Sequence, residues 1–399
     1  MTPRTRPGAA ALAVVLLAAA TGCTLAGRAA GPSAATPGRS GGAERPAAPG
    51  GPTAPVPFTL VASGDVLPHD SVIRQAAADA GGAGHDFRPM LSGVRSVVSR
   101  ADLAICHMET VYGKAGGPYA GYPAFTSPPE VAAALKETGY DSCSTASNHT
   151  LDDGAGGLRR TLDALDRAGV RHAGSARSAE EAARPTLLRA GAATVAQLAY
   201  TYGTNGYPLP EGQPWAVNLI DERRILADAR AARKAGADVV VVSLHWGTEW
   251  QTAPDRRQLT LGRSLTAARS GNRPDIDLII GTHAHVPQAY EKVNGTWIVY
   301  GMGDQIAGEM VNHEGAHDPR GNQGTLARFT FAPPRGPGGR WTVSRAEFVP
   351  QLFDTARGRV VNLNEAIGKG EAHYTATRDA VREAVLGRGA ARDGLVMGE

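Results

Sequence analysis

The feature that most constrains this chain is a short apolar run followed at once by polar residues of metal-binding types. The clearest example is Asp277-Leu-Ile-Ile-Gly-Thr-His283-Ala-His285, where Leu278–Ile280 predicts a buried strand and Gly281 predicts its end. In an extended backbone alternate side chains share a face, so both imidazoles are expected to point to one place. An isolated His-x-His is more often a pair of polar loop residues, so the prediction of a ligand pair depends on the rest of the chain.

Four other apolar runs end in the same kind of residue. The strands predicted at 58–62, 103–106, 141–145 and 239–243 are followed by Ser63-Gly64-Asp65, His107-Met108-Glu109, Ser147-Asn148-His149 and Leu244-His245-Trp246-Gly247. Helical spacing and stop signals lie between the strands, at 129–139, 158–169, 222–235 and around 261–265. Strands that alternate with helices predict an α/β layered fold, in which ligands collect at the carboxyl ends of the strands.

The residue types at these strand ends point to metal chemistry. Carboxylate, amide oxygen and imidazole together suit divalent ions of intermediate hardness, such as Mn, Fe or Zn. A single catalytic ion keeps an open position and does not need all of these ligands. Two ions about 3.5–4 Å apart would use them, and such a pair activates a water for phosphoryl displacement. The sequence has neither a Gly-x-Ser-x-Gly elbow nor a Gly-x-x-x-x-Gly-Lys phosphate loop, which disfavours other common catalytic sites.

Size and charge argue for a globular protein and against a nucleic-acid partner. The 399 residues are 42% hydrophobic, enough for one large domain or two ordinary ones with a substantial core. Lysine and arginine number 41 against 38 aspartates and glutamates. A nucleic-acid binder would need a concentrated basic face, and this nearly balanced charge argues against one.

The N-terminus resembles a bacterial lipoprotein signal. Arg4 and Arg6 precede an apolar stretch, Ala9–Ala20, that is too short to span a bilayer, and small residues lead into Cys23. We therefore expect export and a lipid on Cys23 that anchors the protein at the extracellular side of the cell membrane. Because Ala20 stands where such signals usually have leucine, an ordinary signal peptide is the alternative.

These observations divide the chain into four parts. Residues 1–23 are the predicted signal, and residues 24–56, rich in Gly, Pro and Ala, predict a disordered linker. The strand and helix pattern predicts a main domain at 57–353. Residues 354–399 predict a polar, Arg-rich helical tail.

Two cysteines besides Cys23 lie inside predicted strands, Cys106 and Cys143. One interpretation is two buried small hydrophobic residues. The other is a disulfide, which an oxidising compartment allows when the strands are neighbours.

Residues from about Phe58 to Asp304 resemble one family, the CapA-type bacterial capsule (poly-γ-glutamate) synthesis proteins, a branch of the calcineurin-like metallophosphoesterases. The motifs that carry the resemblance are Ser63-Gly64-Asp65, Met108-Glu109, Ser147-Asn148-His149 with Asp152-x-Gly154, Leu244-His245-Trp246-Gly247, Gly281-x-His283-x-His285-Val286 and Tyr300-x-x-Gly303. Their order and context make the match far more specific than any one motif.

The resemblance implies a four-layer αββα sandwich of the metallo-dependent phosphatase type that carries two divalent metal ions. The implied ligands are Asp65 and His285 for the first ion, Asn148, His245 and His283 for the second, and Glu109 as the bridge. His149 is implied as the general acid or transition-state donor, oriented by Asp152. Two alternatives stay open, since Asp152 could cap the following helix and Asn148 could be a turn residue.

The chain departs from the family pattern mainly around the first ion. Val66-Leu67 follow Asp65 where classical members have Asp-x-His, and His69 is the nearest substitute. The bridging residue is Glu109 rather than aspartate, and Gly303-Asp304 replaces the commoner Gly-Asn. An extra carboxylate is therefore expected near the site.

Two functions follow from this pattern. The first is an exported, membrane-tethered metallohydrolase of the phosphoesterase type that acts on a cell-envelope polymer or phosphoester. The second is a non-catalytic binding or assembly factor for an anionic cell-surface polymer. The presence of His149 favours the enzyme, because a purely structural metal site needs no proton donor. The family's link to capsule synthesis favours the binding factor.

Overall fold

The computed structural model of the protein describes residues 55–336 and 338–399. The predicted signal at 1–23, the anchor residue Cys23 and all but the last two residues of the predicted linker at 24–56 lie outside the described residues. Among the described residues no helix is both long enough and apolar enough to cross a bilayer.

The helices and strands follow one another along the whole described region. The helices are α1 Asp70–Asp79, α2 Arg95–Val98, α3 Glu130–Thr138, α4 Gly154–Ala168, α5 Ala179–Ala182, α6 Glu222–Lys234, α7 Arg256–Ala267, α8 Leu363–Gly368 and α9 Thr375–Leu386. The strands are β1 Phe58–Leu67, β2 Leu103–Met108, β3 Ser142–Ser144, β4 Arg171–Ala173, β5 Thr186–Ala190, β6 Ala193–Thr201, β7 Val239–His245, β8 Arg269–Ser270, β9 Arg273–Pro274, β10 Leu278–Thr282, β11 Tyr290–Val293, β12 Thr296–Val299, β13 Asp304–Ala307, β14 Gln323–Ala332, β15 Thr342–Asp354, β16 Arg359–Asn362 and β17 Leu395–Met397. All the strands and helices expected from the sequence between residues 58 and 300 are found, with shifted ends.

Two mixed sheets form the centre of the molecule. The larger has the strand order β16-β15-β14-β1-β2-β3-β4, with β13 beside the end of β1 and β17 beside β15. The smaller has the order β11-β12-β10-β7-β6-β5. In each sheet the strands that carry the polar ends run parallel, β1 to β3 in one and β7 with β10 in the other. The carboxyl ends of these strands therefore meet at one edge of each sheet.

The core follows the two-residue period of the strands. On β1, Leu60 packs between the two sheets with residues of β7 and β10, whereas Val61 faces the helices that cover the larger sheet. On β7, Val241 points to the other sheet, and Val240 packs against α6 and α7. Helices therefore cover both outer faces, which confirms the predicted four-layer αββα sandwich.

Helix ends are set by local capping chemistry. Asp255 accepts a hydrogen bond from the backbone N–H of Gln258, and the Gln258 side chain accepts one from Asp255 N, a reciprocal capping box at the start of α7. Gly139 and Gly169 end α3 and α4 in the left-handed conformation, which glycine adopts without steric cost.

Cys106 and Cys143 form a disulfide. The two residues are directly opposite each other on the parallel strands β2 and β3, with their Cα atoms 4.4 Å apart. Both lie in the core beneath the helices of the larger sheet. The strand register decides between the two interpretations of the sequence, in favour of the disulfide.

The C-terminal residues differ from the predicted helical tail. Helices α8 and α9 are present, but β16 pairs with β15 in antiparallel register and β17 pairs with it in parallel register. Val381 and Val385 of α9 belong to the core between the sheets. Residues 354–399 are therefore part of the same compact unit as the predicted main domain, because their strands complete the edge of the larger sheet.

Candidate metal centre

The predicted ligands lie together at the carboxyl ends of strands from both sheets. Asp65 is near the end of β1, Glu109 follows β2, Asn148 follows β3, His245 ends β7, and His283 with His285 follows β10. All six residues are buried, and none has more than 6% of its surface exposed to solvent. In four overlapping groups the ligand atoms lie within 4.8 Å of one another. These groups are Asp65–His107–His245, Glu109–His245–His283, Asp65–His285–Asp304 and Glu249–His283–His285.

Asp65 lies where the two sheets approach each other. Its Oδ2 accepts a hydrogen bond from the backbone N–H of His283 (3.0 Å). Its Oδ1 lies 3.5 Å from His107 Nε2 and 3.7 Å from His245 Nδ1. A bulge after Asp65 lets β1 pair with β13, which places Asp304 directly beside it. A side chain at Gly64 would strike the carbonyl oxygen of Gly303, so this close pairing requires glycine.

Glu109 and Asn148 approach His245 from the larger sheet. Glu109 Oε1 is 3.5 Å from His245 Nε2, and Asn148 Oδ1 is 2.8 Å from the same nitrogen. The hydroxyl of Ser147 donates to the Glu109 carbonyl, which ties the two strand ends together. Asn148 does lie in a turn, as one alternative expects, but its side chain also points into the ligand cluster.

The two histidines after β10 are positioned by a turn and not by an extended strand. The strand ends at Thr282, and His283 and His285 have φ of 93° and 59°. Left-handed backbone is uncommon for non-glycine residues and clusters at functional sites, at a cost of about 1–3 kcal/mol each. The expectation that alternation along a strand brings the two imidazoles together was therefore wrong, although their rings do lie 6.0 Å apart.

His149 and Asp152 form a pair beside the cluster. Nδ1 of His149 is 2.6 Å from Oδ2 of Asp152, and the same oxygen accepts from the backbone N–H of Phe125 (2.7 Å). The residue at the cap position of α4 is Asp153, not Asp152, and its side chain makes no capping hydrogen bond. Asp152 therefore holds the His149 ring, and the helix-capping alternative is wrong.

His69 does not join the ligand groups of the described residues. Its Nδ1 lies 3.0 Å from the Leu67 carbonyl oxygen and accepts from the backbone N–H of Gly308 at 3.1 Å. Its ring packs edge-on against Phe125. These contacts hold the ring beside the backbone, so His69 does not replace the histidine of the Asp-x-His pattern among the ligand groups.

The cluster contains many polar atoms that are buried yet lack a hydrogen-bond partner among the described residues. They are Asp65 Oδ1, His107 Nε2, both carboxylate oxygens of Glu109, His283 Nδ1 and Asp304 Oδ2. An unpaired buried polar atom is costly, by about 1–3 kcal/mol and more when charged. Several such lone-pair donors that converge on one place are the donor set of a cation site, so these residues fit divalent metal ions.

Several carboxylates lie close together in this buried cluster, and their pKa values and that of His285 are raised. Burial raises the pKa of Asp65 well above its usual value, and the nearby carboxylate of Asp304 raises it further. Burial also raises the pKa of Glu109, with an added contribution from the charge of Asp65. For His285 burial acts downward, but the neighbouring carboxylates, Asp304 first, outweigh it and raise the pKa well above its usual value.

The other histidines of the cluster behave in the opposite way. Burial lowers the pKa of His245 and His283 well below the usual value, and lowers the pKa of His107 to about 3. These rings are neutral at physiological pH, which is the form that binds a metal.

Two members of the cluster were not among the predicted ligands, His107 and Glu249. His107 precedes Glu109 by two residues, the same spacing as His283 and His285, and this signal was available in the sequence. Glu249 follows His245 in a loop, and its Oε1 lies 4.0 Å from His283 Nε2. No periodicity marks a loop residue of this kind. Asp304 is the extra carboxylate expected near the site, and its Oδ1 lies 3.0 Å from Nδ1 of His285.

Comparison with known proteins places this site in a family. The sequence profile described as "Bacterial capsule synthesis protein PGA_cap" matches residues 59–309. "Capsule biosynthesis protein CapA" of Bacillus anthracis is 28% identical over 180 residues, which cover 44% of this chain and 42% of that protein. "PGA biosynthesis protein CapA" of Bacillus subtilis (strain 168) is 29% identical over 174 residues, 43% of this chain and 44% of that protein. The match thus spans less than half the length of these relatives.

The solved structures that match this chain are more distant in sequence. The calcineurin-like phosphoesterase YfkN from Bacillus subtilis is 14% identical, with a TM-score of 0.41, and the match covers 82% of this chain and 100% of that one. A phosphatase from Mycoplasma pneumoniae is 13% identical, with a TM-score of 0.45 and coverage of 75% and 95%.

The profile match extends over more than half of the chain, from β1 to β13, and includes every strand end that contributes to the cluster. The chain therefore belongs to the bacterial capsule synthesis protein (PGA_cap) family.

Proposed function

We propose that this protein is an exported, membrane-tethered, metal-dependent hydrolase of the phosphoesterase type that acts on a cell-envelope polymer or phosphoester. The observation that carries the proposal is the combination of a buried cluster of unpartnered ligand atoms with a His–Asp pair beside it. A site that only held metal for structure would need the first feature and not the second.

The donor types of the ligand cluster would suit two divalent ions of the Mn, Fe or Zn type. Asp65 and His285 would hold the first ion, Asn148, His245 and His283 the second, and Glu109 would lie between them. Bound there, such ions polarise a phosphoryl oxygen and make a water nucleophilic at neutral pH. Glu109 suits the bridging position because both of its oxygens are buried and unpartnered.

His149 is the residue best placed to supply a proton to the leaving group. Its Nδ1 is held by Asp152, which leaves Nε2 free to donate toward a bound substrate. The carboxylate fixes the orientation of the ring. Phe125 packs against the ring edge-on, with centroids 4.8 Å apart, and restricts its rotation.

The substrate side of the cluster is aromatic and acidic. Tyr202 is 48% exposed, and its ring lies 4.4 Å from that of His283. Trp250 lies 6.0 Å from His285, and Glu249 is also on this side. In the described residues, the ion-pair contacts of the cluster involve histidine and carboxylate and no lysine or arginine. An anionic substrate would therefore depend on the metal ions for its attraction to the site.

The first experiment combines metal analysis with hydrolysis. Protein purified without chelator should contain one to two transition-metal ions per chain, and should hydrolyse a generic aryl phosphodiester. Chelation should remove the activity, and Mn²⁺ or Zn²⁺ should restore it. Protein that contains no metal and takes up neither ion would rule out the metallohydrolase.

The second candidate is a non-catalytic binding or assembly factor for an anionic cell-surface polymer. The names of the curated relatives favour it, because they concern capsule or PGA biosynthesis and not hydrolysis. This candidate would be supported if the fully metallated protein hydrolyses no substrate but binds poly-γ-glutamate in a pull-down experiment. Since the attraction would come from the ions, chelation should then abolish retention.

Membrane attachment is tested at Cys23. If residues 1–23 are a lipoprotein signal, Cys23→Ser should give unprocessed precursor or released protein, because the thiol that receives the lipid is missing. Membrane fractionation and gel mobility of the parent and the variant are the measurements. Identical fractionation and mobility would contradict lipidation at Cys23 and leave the ordinary signal peptide.

Metal uptake should release protons and strengthen as the pH rises. His285, Asp65 and Glu109 have raised pKa values, so without metal each keeps its proton to a higher pH than usual, and a cation must displace any proton that is still bound. His245 and His283 have lowered pKa values and are already neutral, so they release none. Between about pH 6 and 8 the apparent affinity for Mn²⁺ should therefore increase with pH. Calorimetric titration at one pH, in two buffers of different ionisation enthalpy, measures the released protons. Equal heats in both buffers would contradict the expectation.

A further inference from the structure

His107 has a buried nitrogen that no described residue satisfies. The residue is 2% exposed, and Nε2 has no hydrogen-bond partner. The nearest acidic atom is Asp65 Oδ1 at 3.5 Å, which is beyond hydrogen-bond distance and is itself unpartnered. The two atoms face each other because Asp65 and His107 are paired in the register of β1 and β2.

The hydrogen bond at the other ring nitrogen fixes the tautomer. Nδ1 of His107 lies 2.7 Å from the hydroxyl oxygen of Ser144, on the neighbouring strand β3. That hydroxyl also lies 3.4 Å from the carbonyl oxygen of Cys106, and we assign its proton to that contact, so that it accepts from His107 Nδ1–H. The proton on Nδ1 leaves a lone pair on Nε2. A metal-bound histidine is usually held in the same way, through its second nitrogen.

The lone pair on Nε2 thus faces the lone pairs of a carboxylate in a buried space. Two acceptors in this position repel each other unless a cation lies between them. A protonated His107 paired with Asp65 is the alternative, but the ring stacks against His245, with centroids 4.7 Å apart and an interplanar angle of 19°.

The segment after Asp65 offers no competing nitrogen. Leu67 packs in a small apolar cluster with Phe125 and Met310. His69 is held by backbone groups through its Nδ1. Since His69 belongs to none of the ligand groups, a nitrogen ligand for this ion besides His285 would come from His107 on the adjacent strand.

We propose that His107 Nε2 is a ligand of the ion that Asp65 holds, and that Ser144 is the positioning residue that presents it. With His107 on one side and His285 on the other, this position is richer in nitrogen than the predicted pattern of Asp65 and His285 alone. Imidazole ligands favour Fe or Zn over Mg, which prefers oxygen ligands. The inference deepens the metal centre of the proposed function and is independent of whether the protein hydrolyses any substrate.

The test counts metal ions in matched variants of the whole protein. His107→Gln removes the nitrogen and keeps a polar side chain of similar size, and His69→Gln is the matched control at a partly buried histidine outside the ligand groups. Calorimetric titration with Mn²⁺ and elemental analysis after Zn²⁺ loading should give two ions for the parent and for His69→Gln. They should give one ion for His107→Gln. Ser144→Ala should keep both ions, with one affinity weaker by about 10- to 100-fold.

Melting curves separate loss of a ligand from loss of the fold. In chelator, His107→Gln should melt close to the chelated parent, and only the rise in melting temperature on adding Mn²⁺ should shrink. If His107→Gln does not fold, the Ser144→Ala titration decides, and parent-like affinity at both positions overturns the proposal. The proposal is also overturned if folded His107→Gln binds as many metal ions as the parent, with the same affinity. It is equally overturned if the parent binds no metal ion. A parent that loads normally but hydrolyses nothing contradicts the proposed function and leaves this inference standing.

Discussion

His245→Ala should remove metal and hydrolysis together, with a loss of activity as large as that caused by chelation. His245 belongs to two of the ligand groups, and its nitrogens face Asp65 on one side and Glu109 with Asn148 on the other. Metal ions provide several kcal/mol of transition-state stabilisation, so the expected loss is about 10³-fold or more. Elemental analysis and phosphodiester hydrolysis on the same preparation measure both effects.

His172→Ala is the matched control for this variant. His172 is also a largely buried histidine, but it lies outside the ligand groups and pairs with Asp166, with its Nε2 3.3 Å from a carboxylate oxygen. This control should keep its metal and its hydrolysis. A folded His245→Ala variant that retains the full metal content would show that the ligand cluster has been assigned incorrectly.

His149→Ala should keep metal and fold while hydrolysis falls by about 10²–10⁴-fold, equivalent to about 3–5 kcal/mol of transition-state stabilisation. The ring is absent from the ligand groups, and its Nδ1 is bound to Asp152. The loss therefore concerns proton donation and not metal binding. The turnover number with an aryl phosphodiester, measured at constant metal content, reports the effect.

The neighbouring residue provides the sharpest contrast. Asn148→Ala should lose metal and activity together, because Asn148 Oδ1 lies 2.8 Å from His245 Nε2 within the cluster. The activity of Asp152→Asn should fall between that of the parent and that of His149→Ala, since the amide still accepts from Phe125 N but holds the His149 ring less firmly than a carboxylate does. If His149→Ala hydrolyses the diester at the parental rate, His149 is not the proton donor.

The same substitutions separate the two proposed functions. An enzyme needs both the ions and His149, whereas a polymer-binding factor needs only the ions to attract an anionic ligand. Retention of poly-γ-glutamate that survives His149→Ala but not His245→Ala, without hydrolysis in the parent, would favour the binding factor. Glu249, whose carboxylate lies near His283 and His313, would repel an anionic ligand. Binding of an anionic substrate or polymer should therefore depend on the metal ions, whichever of the two functions is correct.

The sequence alone determined the parts of this protein that depend on local patterns. Apolar runs such as Val239–Val242 form buried strands because every residue in them must leave water, and that requirement is visible in the run itself. Polar residues that follow such runs could be assigned to one sheet edge because parallel strands share their direction. The ligand types also follow from the residues at those ends.

The tertiary structure decided what depends on pairing between distant segments. The register of β2 and β3 joins Cys106 to Cys143, and the contact between His149 and Asp152 excludes the helix cap. The two histidines after β10 come together through a left-handed turn that also binds Asp65, some 218 residues away in sequence. The edge strands β16 and β17 became visible only through their partner β15. Such contacts are set by which strands lie next to each other, and the energy that decides this is spread over the whole core and not carried by any short segment.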